Sequence, residues 1–340
     1  MNSYYLPLLF CAFAVKPAQA QVPASSSSAV FSHFIEGIVN PEDLFAIPDQ
    51  SWVIVCSMAS PSNSGKIYAV HKEDQEIVLL FDSKALTEGS LETLRTFSPH
   101  GIYMTKETAN SYQLYVINHG IRECVEIFQV DFEQAVPRIH WENTLPIPEQ
   151  VWANGLVVDS QKNIYLTSMY DPRDKDFLAK FNRQEPTGQI WKWSKLNAWE
   201  PFGNQKFSGP NGIGIAANED HLYLSEWAGQ QLHQLSIPNK VVINSIALNF
   251  LPDNIRWSNT GKLLIAGQRG IPKEVFLSKG ISATNIYFSV IEVDPSLEVV
   301  ERSIDAGDRE FANATVAVDL GKTYWIGCVE NNKIAVYLKQ

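Results

Sequence analysis

Short apolar runs alternate along the chain with clusters of polar and turn-forming residues. No stretch of helical period is long enough for a strand-helix-strand crossover. Six segments repeat one order: a head, an apolar strand, a polar turn and further alternating strands. Pro41-Glu42-Asp43-Leu44-Phe45 leads to Trp52–Val55 and Gly65–Val70; Pro99-His100-Gly101-Ile102-Tyr103 leads to Tyr112–Ile117 and Val125–Val130. Ala153-Asn154-Gly155-Leu156 leads to Asn163–Ser168 and Gly188–Trp193; Pro210-Asn211-Gly212-Ile213 leads to His221–Glu226 and Gln231–Leu235. Pro252-Asp253-Asn254-Ile255 leads to Lys262–Ala266 and Ile286–Ile291; Ala314–Val318 leads to Thr323–Gly327 and Lys333–Tyr337.

The heads recur about every 43 to 61 residues, the period of propeller blades. The pattern therefore predicts an all-β fold, a six-bladed β-propeller with four-stranded antiparallel blades around a central channel. A two-sheet sandwich is the alternative, but it leaves a repeat of this length without a cause. Length alone would suggest two domains; the repeat predicts a single propeller over residues 31–340. A strand from Phe31 to Ile38, laid beside the last blade, would close the ring, because no terminal cysteine pair is present to do so.

Composition narrows the function. The 340 residues carry a net charge of -10 and no basic run, which argues against nucleic acid as a partner. The apolar run Leu6–Val15 followed by Ala18-Gln19-Ala20 predicts a signal peptide over 1–20, although no Lys or Arg precedes the run. A flexible Pro/Ala/Ser-rich leader over 21–30 would follow, in a secreted or periplasmic protein without a membrane span. An uncleaved apolar anchor is the alternative. Outside that leader Cys56, Cys124 and Cys328 remain, an odd number in apolar strands, which predicts buried inert thiols rather than a disulfide framework.

In a propeller the heads of the innermost strands meet at one mouth of the channel. Here they supply Glu42, His100, Asn154, Asn211, Asp253 with Asn254, and Thr315. Any one head reads as a simple turn. Together they make a set of hard oxygen donors with two carboxylates to balance a divalent charge, which suits calcium; zinc would call for Cys or His ligands. His100 and His119 are placed to work beside such an ion, because a hairpin brings them together and a paired imidazole can take a proton from water. His33, His71, His140, His221 and His233 have no such context. No Gly-x-Ser-x-Gly elbow is present to suggest a serine triad.

At these residues the chain resembles the serum paraoxonase/arylesterase family, a branch of the calcium-dependent six-bladed propeller lactonases. The resemblance runs from about Glu36 to near the C-terminus. It is carried by Pro41-Glu42-Asp43-Leu44 with Ile47-Pro48, Pro99-His100-Gly101-Ile102, Asn118-His119 with Val125–Phe128, Asn211-Gly212-Ile213 with His221–Glu226, and Asp253-Asn254-Ile255. It implies a calcium-dependent hydrolase of a small-molecule lactone or aryl ester. It implies that Glu42, Asn154, Asn211, Asp253 and Asn254 hold the catalytic calcium and that His100 and His119 form a dyad. Asp43 and the Ile102 carbonyl match the positions that hold a second, structural calcium in that family.

The chain also departs from the family pattern. Gly155 stands where the family has an Asp ligand to the second ion, the terminal disulfide has no counterpart, and the rim Met169–Pro186 shows little likeness. Two other readings stay open: a sugar lactonase of the gluconolactonase type, and a non-catalytic propeller that keeps calcium for rigidity and binds a ligand. The sequon Asn313-Ala314-Thr315 falls on the sixth head and is incidental.

Overall fold

Each of the six heads opens the innermost strand of one blade. The computed structural model describes residues 29–85, 92–278, 287–307, 310–329 and 331–340. The strands are β1 (Ala29–Glu36), β2 (Pro41–Ala46), β3 (Trp52–Ser57), β4 (Lys66–His71), β5 (Ile77–Asp82), β6 (Pro99–Lys106), β7 (Ser111–His119), β8 (Glu123–Asp131) and β9 (Arg138–Pro146). They continue as β10 (Trp152–Val158), β11 (Ile164–Tyr170), β12 (Gln189–Ser194), β13 (Ala198–Pro201), β14 (Pro210–Ile215), β15 (His221–Glu226), β16 (Gln231–Ser236) and β17 (Val241–Ala247). The last are β18 (Leu251–Trp257), β19 (Leu263–Gln268), β20 (Tyr287–Val293), β21 (Val300–Gly307), β22 (Ala314–Asp319), β23 (Thr323–Cys328) and β24 (Lys333–Lys339).

Five sheets take four consecutive strands each, β2 to β5, β6 to β9, β10 to β13, β14 to β17 and β18 to β21. The sixth has the order β1-β24-β23-β22. The fold is thus the expected all-β six-bladed propeller. Burial explains the sequence pattern: β3, β14 and β22 are buried at every position and carry unbroken apolar or small runs, whereas the outer strands β9 and β17 alternate toward solvent. Neighbouring blades share cores, as where Ile54, Ile67 and Ala69 of the first meet Ile102, Leu114 and Phe128 of the second.

The ring closes through β1, which pairs antiparallel with β24 from Ala29↔Lys339 to Glu36↔Lys333. The strand begins at Ala29, so the folded part reaches two residues into the stretch expected as leader. The expected signal peptide, 1–20, lies outside the described residues. Among the described residues three short α-helices interrupt the blades: α1 (Glu92–Arg95), α2 (Phe177–Arg183) and α3 (Pro272–Leu277). α2 falls in the rim segment and packs on α3, where Asn182 Oδ1 accepts the Lys273 amide at 2.9 Å. Among the described residues no helix is long and apolar enough to cross a membrane.

Candidate metal and active site

The pairing register between inner strand and neighbour breaks at every head. The shifts lie between Pro41 and Asp43, Pro99 and Ile102, Ala153 and Leu156, Pro210 and Ile213, Pro252 and Ile255, and Ala314 and Val316. Such an irregularity bends the strand and re-aims a side chain. Six of them turn the head residues toward one mouth of the channel.

The glycines in these heads have a different cause from the turn-forming one that a single Asn-Gly suggests. A methyl group on Gly101 would stand 2.3 Å from the carbonyl oxygen of Asn154, and one on Gly212 would stand 2.2 Å from that of Asp253. Only glycine lets consecutive inner strands come this close. The expected heads are therefore strand positions where neighbouring blades touch, and that contact draws their donors together.

Glu42, His100, His119, Asn154, Asn211, Asp253 and Thr315 line a single cavity of about 250 Å³. Asn254 is buried behind that lining, where its Nδ2 donates to Glu42 Oε1 at 3.0 Å. Asp253 Oδ2 accepts from Gln268 Nε2 at 2.8 Å, and Gln268 is itself fixed by the indole N–H of Trp227. Thr315 donates its hydroxyl to the Glu42 carbonyl at 2.6 Å. Thr167, on the neighbouring strand, accepts from the Gly155 amide and donates to the Asn211 carbonyl, tying two heads together.

Two observations bear on whether these residues suit a cation. Asn154 Oδ1 and Asn211 Oδ1 are buried without any hydrogen-bond partner, and a buried acceptor left bare is costly. Burial, and then the neighbouring Glu42 charge, push Asp253 well above the usual carboxylate range. Bare carboxamide oxygens beside two buried carboxylates are a hard-cation donor set. Among the described residues no three His, Cys, Asp or Glu side chains form a ligating cluster, so a cation here would depend on the carboxamide oxygens as well.

The two histidines meet as a pair. His100 Nδ1 and His119 Nε2 lie 2.6 Å apart, His119 Nδ1 lies 2.7 Å from Glu123 Oε1, and His100 Nε2 lies 3.1 Å from Glu42 Oε1. Asn118 fixes the turn beneath them, its Oδ1 accepting the amides of Ser98 and Gly120. Burial works against charge on His100, but the Glu42 carboxylate, backed by Asp253 and Asp43, outweighs it and lifts the imidazole to about 9. Burial holds His119 below its ordinary value although Glu123 pulls the other way. Sequence reading missed Glu123, which sits opposite His119 across the β7-β8 hairpin. A carboxylate four residues after a histidine, across a tight turn, was the available signal.

Asp43 and Ile102 meet elsewhere. Asp43 accepts the amides of Leu44 and Ile102 and, through both oxygens, Arg256 Nη2; the Ile102 carbonyl accepts from the same guanidinium at 3.1 Å. Burial pushes Asp43 up to about 7 against the pull of Arg256. A guanidinium fills this corner and Gly155 offers it no side chain, so these residues do not fit a second metal ion.

Apolar groups wall the cavity: Met58, Trp152, Met169, Trp227, Val275 and Phe276. Trp152 stacks on His119 and on Tyr170, and Tyr170 stacks on Phe177 of α2, so α3 supplies Val275 and Phe276 to the wall while α2 backs it. Asn313, the sequon residue, is buried in this lining. A larger cavity of about 550 Å³ opens among the far ends of the inner strands, at the other mouth, without this set of donors. The three described cysteines are free and buried, and Cys56 donates to the His100 carbonyl at 2.8 Å beneath the site.

Comparison with known proteins adds the following. The Arylesterase family model matches residues 25–338. Serum paraoxonase/lactonase 3 of Mus musculus is 25% identical over 263 residues, 72% of this chain and 71% of that protein. Serum paraoxonase/arylesterase 2 of Canis lupus familiaris is 21% identical over 250 residues, 68% of each. Among solved structures, a gluconolactonase of Xanthomonas campestris superposes with a TM-score of 0.56 at 14% identity, covering 96% of this chain and 99% of that one. A luciferin-regenerating enzyme gives a TM-score of 0.55 at 10% identity, over 90% of this chain and 93% of that one. At those identities the structural likeness concerns the fold alone.

Proposed function

Because the chain belongs to the arylesterase family, a group of ester and lactone hydrolases, we propose that it is a calcium-dependent hydrolase of lactones and aryl esters. The observation that carries this reading is the convergence of two carboxylates, two bare carboxamide oxygens and a histidine pair on one cavity. Glu42, Asn154, Asn211 and Asp253 would hold the ion, with Asn254 reaching it through Glu42. Bound there, calcium offsets the buried negative charge and offers positive charge to a substrate carbonyl oxygen.

The chain's own residues set the proton chemistry. Glu123 Oε1 accepts the Nδ1 proton of His119, which leaves His119 Nε2 as an acceptor. His100 must then donate from Nδ1, and its Nε2, 3.1 Å from Glu42 Oε1, carries the lone pair once the ring is neutral, a state that a cation held by Glu42 would favour by offsetting the charge that lifts the imidazole. That nitrogen takes a proton from water as the water oxygen bonds to the carbonyl carbon. It returns the proton to the departing alkoxide or phenoxide as the C–O bond breaks. Trp152 packs flat against His119 and keeps bulk water from the pair.

Beyond the donors and the histidine pair, the wall is mostly indole, thioether and phenyl surface, with Gln268, Ser278 and Asn313 as polar exceptions, which favours an apolar acyl or aryl group over a polyhydroxylated sugar. Residues 1–20 are read as an export signal. The test is a panel of aryl esters, aliphatic lactones and sugar lactones, assayed with calcium and with EDTA. Turnover of the first two classes that EDTA abolishes is expected; a protein that binds calcium yet leaves every ester and lactone intact is a binding module.

A further inference from the structure

We propose that Arg256 is a built-in counter-cation that takes the place of a second metal ion, so that the channel binds one divalent cation and no more. The inference relies on the cation site proposed above for its count and owes nothing to hydrolysis.

Geometry comes first. Arg256 Nη2 reaches both oxygens of Asp43 and the carbonyl of Ile102, Nε donates to the Leu44 carbonyl at 2.8 Å, and Nη1 donates to the Ile255 carbonyl at 3.0 Å. Its plane lies over the Phe45 ring, 5.4 Å from the centroid. The guanidinium thus joins the first, second and fifth blades at one point. Asp43 also accepts two backbone amides, from Leu44 at 2.9 Å and Ile102 at 2.8 Å, so its acceptor capacity is spent. A metal ion could enter only by expelling the guanidinium.

Charge makes the same point independently. The channel buries three carboxylates, Glu42, Asp43 and Asp253. One guanidinium cancels Asp43, and with His100 neutral, as its role as a base requires, Glu42 and Asp253 remain and match a single divalent ion. A second ion would leave the channel with excess positive charge among buried groups, and buried charge without a partner is strongly disfavoured.

Arg256 also borders the larger cavity at the other mouth, while its partner Asp43 stands next in the chain to Glu42. The pair therefore lies between the two cavities and closes the floor of the metal site. The alternation of β18 carries the clue in sequence: Arg256 follows Asn254 by two residues, a cation in step with the ligand heads within a strand that is otherwise largely buried.

The deciding experiment counts ions. The protein is loaded with calcium, freed of excess by gel filtration and measured by inductively coupled plasma mass spectrometry. One calcium per chain is expected, and two would overturn the proposal. None would overturn it together with the calcium reading of function, whereas one ion in a protein inert to esters and lactones removes that reading alone. Arg256→Met is expected to lower Tm by roughly 5 °C, since breaking a buried pair is strongly destabilising, and to recover part of the loss in millimolar calcium. Arg256→Lys keeps the charge and should recover most of the loss without calcium. Equal melting of wild type and the methionine variant would overturn the proposal; should that variant not fold, the wild-type count decides.

Discussion

His100 and His119 share one hydrogen bond of 2.6 Å, and the far side of His119 rests on Glu123. The order of these three groups fixes which nitrogen of His100 is left to face Glu42 and the cavity. In the proposed mechanism the carboxylate thereby orients the proton-accepting atom without touching substrate.

His100→Gln is therefore expected to lower kcat/KM by about 10²-fold. Glu123→Gln, which can no longer enforce the tautomer, is expected to lower it by about 10-fold. Calcium content should stay at the wild-type value in both, because neither residue is among the oxygen donors. Steady-state kinetics paired with metal analysis checks this; full activity in the His100 variant would remove it as the base.

Chelation should act on stability as well as on turnover. An ion bound by the folded state alone, present at about a thousand times its Kd, contributes about 4 kcal/mol, or roughly 5 °C in Tm for a chain of this size. Addition of EDTA should lower Tm by about that much, and Asp253→Asn should melt low with or without EDTA. A melting curve indifferent to calcium and EDTA would count against the site.

Gly212→Ala tests the close approach of the inner strands. The added methyl would meet the Asp253 carbonyl oxygen at 2.2 Å and the Asn254 Cα at 2.7 Å, both backbone atoms that cannot step aside. Overpacking of this kind costs about 1–3 kcal/mol or more, and here it displaces two donors as well. Gly155→Ala, whose nearest contact would be 2.9 Å, should cost less in both chemical denaturation and calcium titration. The reverse order would show that blade spacing does not set the site.

The cysteines should be inert in the native state. Burial, followed by the Glu42 and Asp43 charges, pushes Cys56 well above the ordinary thiol value, and burial also raises Cys124 and Cys328. A thiol-specific reagent at mild alkaline pH should find none of them in folded protein and all of them in denaturant. Denatured protein that still carries its first twenty residues will report one thiol more, Cys11, so the same titration shows whether that segment has been removed.

The head residues could be read from sequence because the repeat places each at an equivalent position. Glu42, Asn154, Asn211 and Asp253, far apart in the chain, meet in one cavity. The strand that closes the ring was also legible, from its place before the first head. The outer strands were not recognised one by one, since they pack on one side only and leave Leu79, Val241 and Ile243 to solvent, which blurs their alternation. Glu123, Gln268 and Arg256 escaped notice for another reason. Each acts on a residue that lies next to it only after hairpins form and blades close, so the spacing of Glu123 from His119 and of Arg256 from Asn254 did not by itself disclose the partner.

The pairing of β1 with β24 carries a temporal consequence. The earliest strand to be synthesised waits for a mate that emerges some three hundred residues later, so the circle stays open through nearly all of translation. A chain crossing a membrane unfolded would meet that requirement on arrival, and a chain cut short anywhere before its final hairpin could never complete the enclosure. Calcium capture would then report that the last residues are in place.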